Sequence, residues 1–248
     1  MNTIYILWLR QLKRYARSQT RIIGSLGQPL LFFIAFGFGF GPIFARAGAG
    51  NYLEFLGPGI ITMAVVFTAM FAGIEVIWDR QFGFLKETLV APVPRFTIMF
   101  GRTLGGATVA VIQGCIVFLL ATIIGFRTIT LSLLPLAFVF MYLIALFCTA
   151  LGTAIASRME DMQAFLLIMD FLIMPMIFLS SALFPLDGLP EALVWAARVN
   201  PLAYGVDGLR WALVGQSFFP PMFDVTILAS FTAACLVIGC YNFSRIEV

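Results

Sequence analysis

The sequence contains no histidine and only two lysines, Lys13 and Lys86. Without histidine, the commonest metal ligand and general base is missing, and a Cys/His metal site is excluded. Neither lysine follows a glycine, so there is no Gly-x-x-x-x-Gly-Lys loop to cradle a nucleotide's phosphates. No Gly-x-Ser-x-Gly nucleophile elbow occurs either. Charge is scarce: 11% of 248 residues, against about 25% in an ordinary soluble domain. With no clustered basic face on a soluble module, nucleic acid is not an expected partner. Cys115, Cys148, Cys235 and Cys240 all fall in apolar stretches and read as small buried hydrophobes, not a disulfide framework. If ATP drives this protein, a second polypeptide must hydrolyse it.

Hydrophobic residues make up 61% of the chain, more than the core of a protein this size can absorb. Lipid must be the solvent for much of it. A spanning helix needs about 20 mostly apolar residues. Six such stretches are expected: 22–44, 57–77, 103–125, 131–156, 162–184 and 223–241. They imply an all-α integral membrane protein built as a single transmembrane domain over 1–248. Its parts are an interfacial helix (1–21), two spans (22–77), a polar loop (78–102), three spans (103–184), an outer segment (185–222) and a last span with its tail (223–248). Ala45-Arg-Ala47 imitates a signal-peptidase site, but the preceding apolar run is too long for the usual signal, so a retained span is expected.

In the first 21 residues, Arg10, Lys13, Arg14, Arg17 and Arg21 recur at helical spacing opposite Ile4, Trp8, Leu12 and Tyr15. This is the pattern of an amphipathic helix lying in the membrane interface with its cations toward phosphates, or of a cationic flank orienting the first span. With the N-terminus in the cytoplasm, that segment, the 78–102 loop, Arg158 and Arg245 hold eleven of the fifteen Lys/Arg on the inner side. Arg46, Arg127, Arg198 and Arg210 are then outside. Both termini are expected in the cytoplasm.

The 185–221 segment is apolar but broken. Short helices are expected over 191–199 and 202–215, split by Asn200-Pro201. Such a pair can dip into the membrane if protein covers it, or lie as an amphipathic cap on the outer surface.

Asp170 lies within the fifth apolar stretch, where an ionisable group is costly. It is a candidate for a substrate path or proton site, or for a structural hydrogen bond. Gln28, beside Pro29 in the first span, is a second polar candidate. Glu75 is expected at headgroup depth, and Asp224 as a cap of the sixth span. Gly37-x-x-x-Gly41 and Gly101-x-x-x-Gly105 permit close helix contacts, within one chain or between two copies. In the loop, a helix over 79–90 would place Phe82, Leu85 and Leu89 on one stripe, with Asp79, Arg80, Lys86 and Glu87 elsewhere. Pro92 and Pro94 stop it. Apolar anchors in a charged rim suit a partner's groove, or a helix resting on headgroups.

The cationic N-terminal helix, the six stretches, the loop Glu75-Val-Ile-Trp-Asp-Arg-Gln-Phe-Gly-Phe-Leu-Lys-Glu87-Thr-Leu-Val-Ala-Pro92-Val-Pro-Arg95, the Gly101-Arg-Thr-Leu-Gly105 run and Asn200-Pro-Leu-Ala-Tyr-Gly-Val-Asp207-Gly-Leu-Arg210 together resemble the permease subunit of an ABC-2 type ABC transporter. The likeness is nearer to daunorubicin-resistance and nodulation-factor exporters than to capsule polysaccharide permeases. It implies the type V exporter fold, with a cytoplasmic coupling helix and outer re-entrant helices. It also implies a homodimer, or a pair with a paralogous permease, and two nucleotide-binding ATPase subunits that hold ATP and Mg. No cofactor is expected in this chain, and the cytoplasmic membrane is the expected location. Carried over, Arg80, Phe82, Leu85, Lys86, Glu87 and Leu89 become coupling residues, and Asn200, Pro201, Asp207 and Arg210 mark the outer re-entrant motif. The expected function is ATP-driven export of a lipid-like, drug-like or glycolipid/saccharide substrate, through a path between two copies. The alternative is an ion-coupled carrier using Asp170.

Overall fold

The computed structural model describes residues 2–46, 51–84, 93–129, 131–186 and 190–244. Among them every regular element is helical. The helices are α1 (Asn2–Arg17), α2 (Gln19–Arg46), α3 (Tyr52–Phe71), α4 (Ile74–Gln81), α5 (Arg95–Ile124), α6 (Leu134–Ala156), α7 (Met162–Phe178), α8 (Glu191–Val199), α9 (Pro201–Val214) and α10 (Pro221–Ser244). A 3-10 turn, Leu131–Leu133, precedes α6.

Local chemistry sets several boundaries. Asn51 begins α3 by accepting from the Leu53 amide at 3.1 Å. Asp161 begins α7 through the amides of Gln163 (2.9 Å) and Ala164 (3.3 Å). Asn200 begins α9 through Leu202 at 3.0 Å, with Pro201 in the first turn, where its missing N–H costs nothing. Gly215, in the left-handed region at φ 78°, ends α9.

Five segments are long and apolar enough to cross a membrane: Ile22–Phe44, Tyr52–Gln81, Arg95–Ile124, Leu134–Ala156 and Pro221–Ser244. The second combines α3 and α4, which are separated only at Ala72–Gly73. Helix α7, expected to run to Phe184, stops at Phe178, and 179–186 is irregular. Its 17 residues span about 25 Å.

Helix α3 is the hub. It packs against α2, α5, α6 and α9, and from Leu56 to Val66 every residue is buried. Backbones close in where α3–α4 meets α6. A Cβ on Gly73 would lie 2.5 Å from the Gly152 carbonyl oxygen and 3.1 Å from Phe165. Helix α9 is buried between α6, α10 and α3. Helices α2 and α10 are mostly exposed, and α7 touches its neighbours through one stripe, Phe165, Met169, Ile173 and Ile177.

The two glycine patterns have different surroundings. Gly101 and Gly105 on α5 form the groove in which α1 lies. A Cβ on Gly101 would meet Ile4 Cα and Leu7 Cβ at 3.2 Å, and one on Gly105 would meet Gln11 Cβ at 2.8 Å and Trp8 Cα at 3.4 Å. Of the other pair, Gly37 faces Leu53 of α3, while Gly41 faces open space. The side of α1 that carries Ile4, Trp8 and Tyr15 therefore packs on α5. Trp8 donates to Thr108 Oγ1 at 3.0 Å, and the buried Tyr15 hydroxyl donates to Gln113. The pairing order, Ile4 to Gly101 and Tyr15 to Gln113, sets α1 alongside α5 in the same direction.

Gly105→Val should therefore pry α1 from α5 at about 1–3 kcal/mol, the usual cost of overpacking a tight contact. A lower Tm of the detergent-purified protein would show it. An unchanged Tm would mean that α1 is not seated in this groove.

Candidate functional site

At the α1 end, α4 is the focus of an ion-pair cluster. Asp79, expected on a solvated rim, is buried at 5% exposure. Arg102 of α5, itself buried, donates to one of its oxygens, and Arg10 of α1 approaches the other at 3.2 Å. Glu75, expected at headgroup depth, is also buried and pairs with Arg14 at 3.7 Å. Arg14 also lies over the Trp78 ring, 5.5 Å from its centroid. On the other flank, Arg80 pairs with Glu160 at 2.8 Å and Gln81 donates to the Glu160 carbonyl at 2.9 Å. Helix α4 is thus tied to α1, to α5 and to the α6–α7 connection.

The reason is electrostatic. Arg102 sits at the start of a long apolar helix, and a buried guanidinium is costly unless it is paired or fully hydrogen-bonded. Asp79 supplies the opposite charge, and its second oxygen can then recruit Arg10. Helix α5 extends about 45 Å, beyond a hydrocarbon core of about 30 Å, which leaves room for this cluster at the membrane edge. Arg102 carried a signal of its own, an ionisable group at the mouth of an apolar stretch. Its partner, 23 positions away, carried none.

Over the described residues 79–84, the expected helix is interrupted. Residues 79–81 complete α4, and the chain turns at Phe82 and Gly83, where φ is 78°. Glycine takes that angle without strain. Arg80 and Phe82 are placed, and Phe82 is exposed at 70%. Leu85, Lys86, Glu87 and Leu89 lie outside the described residues. Beside the turn, α1 and the end of α4 enclose a cleft of about 860 Å³, lined by Ile6, Leu9, Arg10, Lys13, Arg17, Trp78, Phe82 and Phe84. It combines apolar and aromatic walls with a cationic edge.

Gln28 lines a smaller cavity of about 360 Å³ with Tyr15, Ser25, Pro29, Thr68 and the stacked rings of Phe67 and Phe71. Asp170 is not near it on its own element. It lies on the exposed face of α7 with Phe171 and Met174, and makes no hydrogen bond or ion pair among the described residues. A structural hydrogen bond within the described chain is thus not its role here.

At the opposite end, the Asn200–Arg210 motif is a set of ties. Asn200 donates to the Met176 carbonyl of α7 at 2.6 Å. Asp207 accepts from the Phe218 and Phe219 amides at 2.9 and 2.8 Å. Buried Arg210 donates to Ser181 Oγ at 3.0 Å and to the Ser181 carbonyl. Pro201 opens α9. Asp224, expected to cap the sixth span, α10, does not do so. It is buried inside the first turn, with no hydrogen-bond partner for either oxygen among the described residues.

A profile of the family described as ABC-2 type transporter matches residues 2–214. The chain is 28% identical over 240 residues to ycf38 of Cyanophora paradoxa, a protein named as a transport permease, which covers 95% of this chain and 83% of that one. It is 29% identical over 223 residues to nodulation protein J of Rhizobium leguminosarum bv. trifolii, with 89% and 80% covered. It is 26% identical over 243 residues to the inner membrane transport permease YadH of Escherichia coli (strain K12), with 95% and 92% covered.

Removing Asp79 strands a buried cation, so Asp79→Asn should destabilise by about 3–5 kcal/mol. Arg10, with its side chain 43% exposed, should cost about 0–1 kcal/mol as Arg10→Gln. Thermal melts in one detergent check the order of the two. Equal losses would contradict the burial argument.

Proposed function

Because the chain belongs to the ABC-2 type transporter family, a family of multi-pass membrane permeases, we propose that it is the membrane subunit of an ATP-driven exporter whose ATPase is a separate chain. The observation that carries this reading is the fusion of α1 and α4, through Asp79, into one surface beside an aromatic cleft. A subunit with no phosphate-binding loop needs such a surface to receive work from an ATPase. The nucleotide and its Mg belong on that partner. In this reading Arg80 and Phe82, with Leu85, Lys86, Glu87 and Leu89, form the contact, and α1 adds Arg10 and Lys13 to its edge.

The α1 end then faces the cytoplasm, both termini are cytoplasmic, and the location is the inner membrane, as YadH's name states for that relative. Helix α7 acts as the sixth span at the short end of the usable range. Helices α8 and α9 re-enter the membrane from outside, α9 under the cover of α6, α10 and α3. Two copies, or this chain and a paralogue, meet across the exposed faces of α2 and α7. A lipid-like, drug-like or glycolipid/saccharide substrate passes there, near Gln28 and Asp170. ATP binding drives transport only through a difference in its affinity for two arrangements of the permease. The linked α1–α4 unit conveys that difference to α5 and α6, which it contacts directly.

One observation favours a second reading, an ion-coupled carrier. Asp170 is an exposed carboxyl on a membrane helix with no partner among the described residues. The carrier requires transport set by a proton gradient, lost in Asp170→Asn, with no ATPase involved.

Co-expression with candidate ATPases separates the two. The exporter reading predicts copurification of an ATPase and no ATP hydrolysis by this chain alone. Phe82→Ala or Glu87→Ala should weaken ATPase binding and transport about tenfold, the scale of a truncated interface anchor, with membrane insertion unchanged. Saturable ATP hydrolysis by the isolated chain, or gradient-driven uptake into proteoliposomes without ATPase, would overturn it.

A further inference from the structure

At the end opposite α1, a cavity of about 470 Å³ lies between Phe44 of α2, the first turn of α3, the irregular stretch after α7 and the loop that follows α9. This volume falls within the usual range for a small-ligand site. Its walls are fixed. The Arg210–Ser181 bonds hold one side, and the Arg210 guanidinium lies 4.1 Å from the centroid of Phe55, which braces a second. The three amide bonds to Asp207 hold the 218–219 loop as the third.

The polar groups on these walls divide into two kinds. Arg210 and Asp207 are committed to building the cavity. Gln216 and Ser217 are exposed and make no hydrogen bond among the described residues, although both line the cavity. An amide offers donors and an acceptor, and a hydroxyl offers one donor and two lone pairs. Glu54 adds a further acceptor. Asn51, which donates to Glu54 at 3.2 Å, is a further polar wall, and the rings of Phe44, Phe55 and Phe218 add apolar ones.

This chemistry selects among headgroups. Among the described lining residues there are two carboxylates, Glu54 and Asp207, and one guanidinium, so their formal charge opposes a phosphate or carboxylate ligand. A quaternary ammonium would use the rings and the acids but leave the donors of Gln216 and Ser217 idle. A ring with several hydroxyls uses donors and acceptors together, and its C–H face suits an aromatic wall. We propose that this cavity is an outer-side subsite for an uncharged, hydroxyl-rich headgroup, that of a glycolipid or saccharide, held as the substrate leaves. The proposal rests on the exporter orientation above and narrows its substrate class to a sugar-bearing one.

Saturation-transfer NMR on the full-length protein in phosphatidylcholine nanodiscs tests it. The probes are methyl β-maltoside, choline and glycerol 1-phosphate, with empty nanodiscs as blank. Methyl β-maltoside should give a saturable signal, and the other two none above the blank. The double variant Gln216→Ala/Ser217→Ala, at exposed positions, should weaken that signal's affinity about fivefold, the scale of one or two lost hydrogen bonds, with Tm unchanged. No saccharide signal above the blank, equal affinity in the double variant, or equal binding of choline or glycerol 1-phosphate would overturn it. The measurement uses no ATPase, so its failure leaves the exporter reading standing. Conversely, failure to copurify an ATPase leaves the subsite standing.

Discussion

Burying the charges of Asp79 and Arg102 is least costly when they lie beside each other, and at Asp79 that pairing joins three helices. Arg102 anchors it to α5, Arg10 brings α1, and Glu75 repeats the contact with Arg14 one turn earlier. The glycine groove of α5 supplies the apolar half of the same junction by letting the backbone of α1 approach. Neither half suffices alone. The groove places α1, and the charges fix its register along α4.

The consequence is mechanical. The turn at Phe82–Gly83 emerges from a helix end held on every side, by α1, by α5 and by Glu160 before α7. In the proposed exporter, a push received there would pass first to α1 and α5, then to α6 where Gly73 approaches Gly152. At the far end, α9 is held by ties of a different sort, side chains reaching backbone groups: Asn200 to Met176 and Asp207 to Phe218 and Phe219. Between the two clusters lie the exposed faces of α2 and α7, the least enclosed parts of the bundle. A bundle with two fixed ends and an open flank is suited to rearrange between copies while each end keeps its form.

Much of this was legible in the sequence because it is local. The Asn200-Pro201 break predicts the α8–α9 division to within a residue, since proline both ends one helix and suits the start of the next. Of the six apolar stretches expected to cross, five form helices long and apolar enough, because length and hydropathy decide them, while the fifth stretch stops as a helix at Phe178. Among the described residues the loop helix is interrupted near its start, at a break that periodicity does not see: residues 79–81 continue α4, and the chain turns at Phe82–Gly83. The burial of Asp79 was invisible for another reason. Its partners lie 69 and 23 positions away, and a charge beside other charges reads as solvated until the fold brings them together. Asp170 shows the reverse. Its cost in an apolar stretch was plain, but whether it faced the bundle or the open side depended on the single packed stripe of α7.

The central claim is that α1 and α4 move as one body. The most direct measurement is the distance between spin labels at Lys13→Cys and Gln81→Cys, on a background lacking the four native cysteines. It is taken in the complex with the ATPase, with and without a non-hydrolysable ATP analogue. The account predicts one narrow distance distribution that nucleotide does not shift, while a pair linking Gln81→Cys to Gln216→Cys at the far end does change. A shift or broadening of the 13–81 distance on nucleotide binding would contradict it.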